Sequence, residues 1–349
     1  MSTPYVRPSP TAGRLRLHLN ENSAGCSTAA FDAIRALSAR DVACYPEYDQ
    51  AIAAVAGAFG VPADFVLLTN GLDEGILATT AAAFRRRDGG IPEAVGVSPA
   101  FEMYEMVVDG LGGRMRLVPL DADFAWRVTD IAANVSEDTR IVFVTNPHNP
   151  SGTAVPRAKL LDLAARIASA TLLVDEAYAD FTGETLIDAS LLVSHPQIIV
   201  GRTFSKAYGL AGLRIGALIG APDTLSAVRK IVPPFSVNTI AAAALPAALA
   251  DRSYVTSYIE ESRQSRRILT DACDRLGLKV YPSHANFMLV DAGRRASALV
   301  EALAARGIVV RDKSAAPGCS GCIRVTTGTT SDTARLVEGM EDAWRELHD

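Results

Sequence analysis

Apolar residues fall along this chain in short runs, set apart by turns and by longer amphipathic stretches. Seven runs have the length and bounding turn residues of strands: 65–69, 94–98, 114–118, 141–145, 171–175, 198–201 and 214–219. Helix-like segments lie between them at 74–86, 157–169 and 221–231. Strands alternating with helices predict an α/β fold with a mainly parallel sheet and helices on both faces. After Asp251 the rhythm changes. A long helix over 254–276 leads to strands at 279–281 and 286–290, a helix at 296–306, strands at 308–311 and 321–326, and a terminal helix. This predicts a large unit over 40–250 and a smaller α+β unit built from 1–39 and 251–349.

Composition narrows the picture. At 349 residues, 49% hydrophobic and 21% charged, the chain has enough apolar material for a large core and a second, smaller one. The formal charge is 34 − 39 = −5, and no basic run stands out, so nucleic acid is not an expected partner. The first fourteen residues have no apolar core behind a basic start, and the most apolar stretch, 239–250, is too short to span a bilayer. No membrane association is expected. The five scattered cysteines read as reduced thiols of a cytoplasmic protein. Cys319 and Cys322 lack the further cysteines or histidines of a zinc site, so they read as a turn before a strand and no metal is expected.

In open α/β sheets, ligands bind beyond the carboxyl ends of the strands. After the first run stand Asn70-Gly71-Leu72-Asp73, where glycine and helix-start amides suit an anion; a plain turn capped by Asp73 is the bland alternative. After the second come Pro99-Ala100-Phe101 and then Tyr104, rings able to stack on a flat ligand or to pack in the core. After the fourth, Asn149 sits in a rigid Pro/Gly turn, His148-Asn149-Pro150-Ser151-Gly152. Asp175 ends an apolar strand, where a carboxylate needs a cationic or hydrogen-bonding partner; Tyr178 follows it. After the sixth run come Thr203-Phe204-Ser205-Lys206 and, eight residues later, Arg214. A lysine of lowered pKa can attach to an aldehyde cofactor, and an arginine fork suits a phosphate. Taken singly, a loop lysine belongs on the surface. The convergence of all these groups at successive strand ends sets this one apart. No Gly-x-Gly-x-x-Gly turn follows a strand, which argues against a nicotinamide dehydrogenase.

These residues resemble the fold-type-I pyridoxal-phosphate (PLP) aminotransferases over nearly the whole chain, and most closely the histidinol-phosphate aminotransferase branch. The resemblance implies PLP as cofactor, with Lys206 as its attachment point. Asp175 would face the ring nitrogen, Asn149 and Tyr178 the ring hydroxyl, and Phe101 the ring face. The phosphate would lie among Gly71, Leu72, Asp73, Thr203, Ser205 and Arg214. Tyr45 resembles a tyrosine that reaches the partner's cofactor phosphate, which implies a homodimer with shared active sites. Arg324, with Arg311, matches the arginines that grip the substrate's acidic group. Asn20 lies in the matching segment Leu19-Asn20-Glu21-Asn22, and Tyr5 is a candidate for a lid.

The implied reaction is a ping-pong transfer of an amino group between histidinol phosphate and glutamate/2-oxoglutarate, in histidine biosynthesis. An aromatic amino-acid aminotransferase and a threonine-phosphate decarboxylase share the same catalytic parts and stay open as alternatives. Two positions depart from the pattern. Ser23-Ala24-Gly25-Cys26 replaces a Pro-Gly-rich segment at the substrate mouth, and Leu72 stands where a small residue is common.

Overall fold

The computed structural model describes residues 12–85 and 90–348. A two-residue strand, β1 (Leu15–Arg16), comes first. Seven strands then form one sheet: β2 (Val66–Thr69), β3 (Glu93–Ser98), β4 (Arg114–Pro119), β5 (Thr139–Thr145), β6 (Thr171–Asp175), β7 (Ile198–Thr203) and β8 (Gly216–Gly220). Their order across the sheet is β2-β8-β7-β6-β5-β3-β4. β4, β3, β5, β6 and β7 pair in parallel, and β8 runs antiparallel to both of its neighbours.

The central strands read as nearly continuous apolar runs because both of their faces are buried, whereas the edge strand β4 alternates and is largely exposed. Val142, Val144, Leu172, Val174, Ile198 and Val200 point into one core, against the helices Asp49–Phe59, Arg157–Arg166 and Thr239–Ala250. Their neighbours Ile141, Phe143, Leu173 and Ile199 point into another, against Gly71–Phe84, Glu102–Gly110 and the start of Arg252–Leu276. Burying each such side chain contributes roughly 1.5–3 kcal/mol before chain entropy is counted.

A second sheet follows, with strands β9 (Lys279–Val280), β10 (Phe287–Asp291), β12 (Arg311–Asp312) and β13 (Cys322–Thr326) in the antiparallel order β12-β13-β10-β9. A further short strand, β11 (Ile308–Val309), leaves this sheet and pairs in parallel with β1. Helices Ala296–Ala305 and Thr330–Glu346 supply the apolar cover, with Leu299, Leu303, Leu336 and Met340 fully buried. Cys319 and Cys322 are free thiols buried beside Phe124, Tyr281 and Leu289. Burial pushes the thiols up, to about 11 and about 12.

The structure corrects several element boundaries, and three of them bear on the residues singled out above. The strand expected over 214–219 begins at Gly216, because Arg214 takes a left-handed conformation (φ 55°) that ends any extended run. The strand expected over 308–311 is two pieces, because Val309 pairs with Arg16 while Arg311 pairs with Arg324 on a different sheet. The helix expected from Glu74 starts at Gly71. Among the described residues no helix is long and apolar enough to cross a membrane, and no group of His, Cys, Asp and Glu is arranged to hold a metal ion.

Candidate active site

The carboxyl ends of β5, β6 and β7, the start of helix Gly71–Phe84 and the strands of the second sheet enclose a cavity of about 320 Å³. Lining it are Asn20, Leu72, Asp73, Phe101, Asn149, Asp175, Tyr178, Thr203, Ser205, Lys206, Arg214, Arg311 and Arg324, most of the residues singled out from the sequence. Gly71 borders it through Arg214: a Cβ on Gly71 would stand 2.5 Å from Arg214 Nη2, and its φ of +72° also favours glycine. Two expectations fall elsewhere. Tyr45 is 78% exposed and stacks on Phe235, away from its own chain's cavity. Tyr5 lies outside the described residues.

Asp175 ends strand β6, which is buried from Leu172 onward. Its Oδ2 accepts a hydrogen bond from the Tyr104 hydroxyl at 2.8 Å, and its Oδ1 accepts from the Ala177 N–H at 3.0 Å. Both donors are neutral, so burial dominates and raises the carboxyl to about 6. Tyr104 spends its proton on Asp175, so the 2.7 Å contact to Thr145 runs the other way, with the Thr145 hydroxyl donating. The cavity therefore ends in a carboxylate held by neutral donors, an environment that favours a cationic N–H above it.

Lys206 lies just past β7. Its Nζ donates to the Leu19 carbonyl at 2.9 Å. Burial, with Arg324 nearby, lowers its amine from 10.5 to about 8. The amine is thus far closer to its neutral, nucleophilic form at physiological pH than a surface lysine is. Across the cavity Tyr178, pushed by burial to about 12, accepts from Asn20 Nδ2 at 3.0 Å. Its own proton is then left to donate.

Asn149 is positioned by a strut. His148 Nε2 lies 2.9 Å from the Pro99 carbonyl and its Nδ1 lies 2.8 Å from Ser151 Oγ. A carbonyl only accepts, so Nε2 carries the proton and Nδ1 accepts from Ser151. Burial lowers this imidazole to about 4, which keeps it neutral. Arg324 completes the arrangement, donating from Nη1 to Asn149 Oδ1 at 2.5 Å and from Nη2 to the His18 carbonyl at 2.8 Å. Arg311 faces Arg324 in register on the adjacent strand.

The start of helix Gly71–Phe84 has no side-chain cap. Its first amides, Arg214 and Ser205 converge there. Arg214 is braced by Asp73 at 2.9 Å. Ser205 Oγ is buried with no hydrogen-bond partner among the described residues. An orphaned hydroxyl, an arginine and free helix-start amides form an anion cradle. Leu72 fits despite its size because its side chain nests over Gly201, where a Cβ would come within 2.6 Å.

Sequence reasoning missed the parts of Tyr104 and Thr145 behind Asp175. It also missed His18, Glu102 and Lys313, and in the segment 19–22 it assigned Asn20 alone although Leu19 and Glu21 line the cavity as well. A signal existed for some: Glu102 follows Phe101, and Lys313 is two residues past Arg311, on the same side of an extended chain.

A family model described as aminotransferase class I and II matches residues 13–340. The chain belongs to that family. This class I and II aminotransferase is 36% identical over 336 residues to a histidinol-phosphate aminotransferase of Symbiobacterium thermophilum, covering 95% of this chain and 91% of the relative. It is 36% identical over 301 residues to a histidinol-phosphate aminotransferase of Oleidesulfovibrio alaskensis, covering 84% and 78% respectively. The solved structure of histidinol-phosphate aminotransferase from Sinorhizobium meliloti, in complex with pyridoxal-5'-phosphate, superposes with a TM-score of 0.85 at 30% identity, covering 95% of this chain and 91% of that one. The chain is therefore an aminotransferase with the fold of the PLP-dependent type I enzymes, as expected from the resemblance.

Proposed function

We propose that this aminotransferase uses PLP to move an amino group between histidinol phosphate and 2-oxoglutarate. The observation that carries the reading is the placing, in one cavity, of the half-buried Lys206, held at the Leu19 carbonyl and lowered to about 8, with the buried Asp175 carboxyl raised to about 6.

The residues present fit the cofactor. Ser205 Oγ lacks a partner among the described residues, and Arg214 with the amides of Leu72 and Asp73 offers a phosphate cradle, Thr203 beside them. Asp175 would hold the ring nitrogen in its protonated form, Asn149 and Tyr178 the ring hydroxyl, and Phe101 a ring face. When bound, PLP supplies the electron sink that lets the substrate Cα lose a proton.

The chain's own groups do the rest. Lys206 Nζ would carry the proton removed from the substrate Cα, as base and then as acid. Its contact with the Leu19 carbonyl holds the amine within the cavity. Arg324 and Arg311 would bind the substrate anion, phosphate in one half-reaction and carboxylate in the other. Asn20 fixes the Tyr178 hydroxyl.

The proposal includes a homodimer in the cytoplasm, and the division into units at 40–250 and at 1–39 with 251–349. Helices Thr28–Arg35 and Ala39–Ala43 pack on Thr239–Ala250, and this region exposes Phe31, Val42, Tyr45, Phe235 and Ile240. An apolar cluster of that kind supports a subunit contact, through which Tyr45 would reach the partner's cavity.

A half-reaction screen tests the substrate. The PLP-loaded protein is mixed with single amino donors and its visible absorbance is followed. Histidinol phosphate is expected to convert the spectrum and glutamate to do so in turn. A spectrum unchanged by histidinol phosphate but converted by phenylalanine would overturn the substrate in favour of an aromatic amino acid.

A further inference from the structure

The cavity holds an ion pair that the reading above leaves unused. Lys313 Nζ donates to Glu102 Oε1 at 2.6 Å. The two residues come from different layers. Glu102 opens the helix Glu102–Gly110 beside the large sheet, and Lys313 follows β12 in the small one. Both line the cavity together with Arg311, Arg324 and His18.

The two partners differ in freedom. The Lys313 side chain is 6% exposed, and its backbone N–H is tied to the Cys322 carbonyl at 2.9 Å. The Glu102 side chain is 45% exposed. Lys313 cannot reach water without moving the chain around it, whereas Glu102 needs only a rotamer change. The surroundings are cationic. Burial, and after it Arg324 and Arg311, lower the Lys313 amine; the Glu102 carboxyl is lowered against its own burial by Lys313 first, with Arg324 adding to it. Glu21 and the neutral-leaning His18 are the other titratable groups on this wall. Glu102 is thus a built-in anion at the edge of a three-cation cluster.

We propose that Glu102 and Lys313 are specificity-determining residues, forming an ionic filter that favours doubly charged phosphate monoesters over singly charged carboxylates beside Arg311 and Arg324. The proposal rests on the reading that these arginines bind the substrate anion. A carboxylate entering next to Lys313 replaces one negative charge with another and gains little. A phosphate monoester carries about −1.5 to −2 near neutral pH and three acceptor oxygens. It can displace the Glu102 carboxylate into water and engage Lys313 together with the arginines.

The test uses the PLP-loaded enzyme, so that the cofactor cradle is filled. Inhibition by inorganic phosphate and by succinate is measured in wild type, Lys313→Met and Glu102→Gln, beside kcat/KM for histidinol phosphate and for glutamate. Lys313→Met is expected to weaken phosphate inhibition and histidinol-phosphate kcat/KM about tenfold or more, since a charge-assisted contact is lost. Succinate and glutamate should change less than about threefold, since a carboxylate only replaces the half-exposed Glu102 charge beside Lys313. Glu102→Gln is expected to tighten both anions and to narrow the preference for phosphate. This site is half exposed, so it keeps the test open if Lys313→Met fails to fold. Equal shifts for phosphate and succinate in the variants would overturn the filter. If wild type converts glutamate but not histidinol phosphate, the proposed substrate fails on its own, and the phosphate-to-succinate ratio still decides the filter.

Discussion

Tyr104 points its hydroxyl at the Asp175 carboxylate across 2.8 Å, while Thr145 supports the same hydroxyl from behind at 2.7 Å. The relay is wholly buried, so each bond counts for more than it would in water. Removing it should move Asp175 further from its charged form. Tyr104→Phe is expected to lower kcat about tenfold or more, the scale of one hydrogen bond to a charged group. The acidic limb of the kcat pH profile should move to higher pH. An unchanged pH profile would show that Asp175 does not depend on this donor.

Lys206 gives a pH prediction with a definite sign. Only the neutral amine can attack an aldehyde. The native amine titrates at about 8, against 10.5 for an ordinary lysine. Cofactor capture by the cofactor-free protein should therefore speed up as pH rises and level off above about 8. Stability follows from the same shift. Between about 8 and 10.5 the unfolded chain binds more protons than the native one, so this group's contribution rises with pH across that window. Asp175 acts oppositely. Its raised pKa, about 6 against 3.8, means that its contribution falls as pH rises through that range. Stopped-flow absorbance against pH measures capture directly.

Gly71→Ala tests the cradle. The new Cβ would meet Arg214 at 2.5 Å, at a backbone φ of +72°. A non-glycine residue held there costs of the order of 1–3 kcal/mol. The expected result is PLP affinity weaker by about tenfold or more, which follows from that strain if Arg214 must retreat. Equilibrium binding of PLP gives the number.

A buried ion network ties β6 to β7. Arg202 Nη1 donates to Glu176 Oε2 at 3.2 Å and its Nη2 donates to Asp180. Glu176 also accepts from the Leu186 N–H at 2.7 Å. Glu176→Ala leaves a buried guanidinium short of its partner, which typically costs about 3–5 kcal/mol. Because Glu176 directly follows Asp175, the variant should lose both urea resistance and PLP affinity. A urea titration of the loaded and cofactor-free forms separates the two.

Much of this was legible from the chain because the sheet is buried on both faces. Each central parallel strand then appears as an apolar run, and the residues at and just after its carboxyl end lie at the ligand-binding edge. Asp175, Asn149 and Lys206 were read from their places at or after such runs and Arg214 from its spacing to Lys206, and all four line the cavity. What escaped was set by long-range pairing. Two-residue strands such as Leu15–Arg16 have no pattern of their own and exist only through Ile308–Val309. The Arg324 bond to the His18 carbonyl spans 306 positions, and the Lys313–Glu102 pair spans 211. Arg214 looked like the start of a strand because it is followed by an apolar run. Its left-handed turn closes the short helix Ala211–Leu213, and from there its guanidinium reaches Asp73.

The central claim is that Lys206 carries the cofactor. The protein is loaded with PLP, treated with borohydride to make the attachment permanent, and digested with trypsin. The pyridoxyl phosphate mass is expected on Lys206, in the peptide running from Thr203 to Arg214 with cleavage blocked at the lysine. A label on Lys159, Lys230, Lys279 or Lys313 instead, or no label at all, would contradict it.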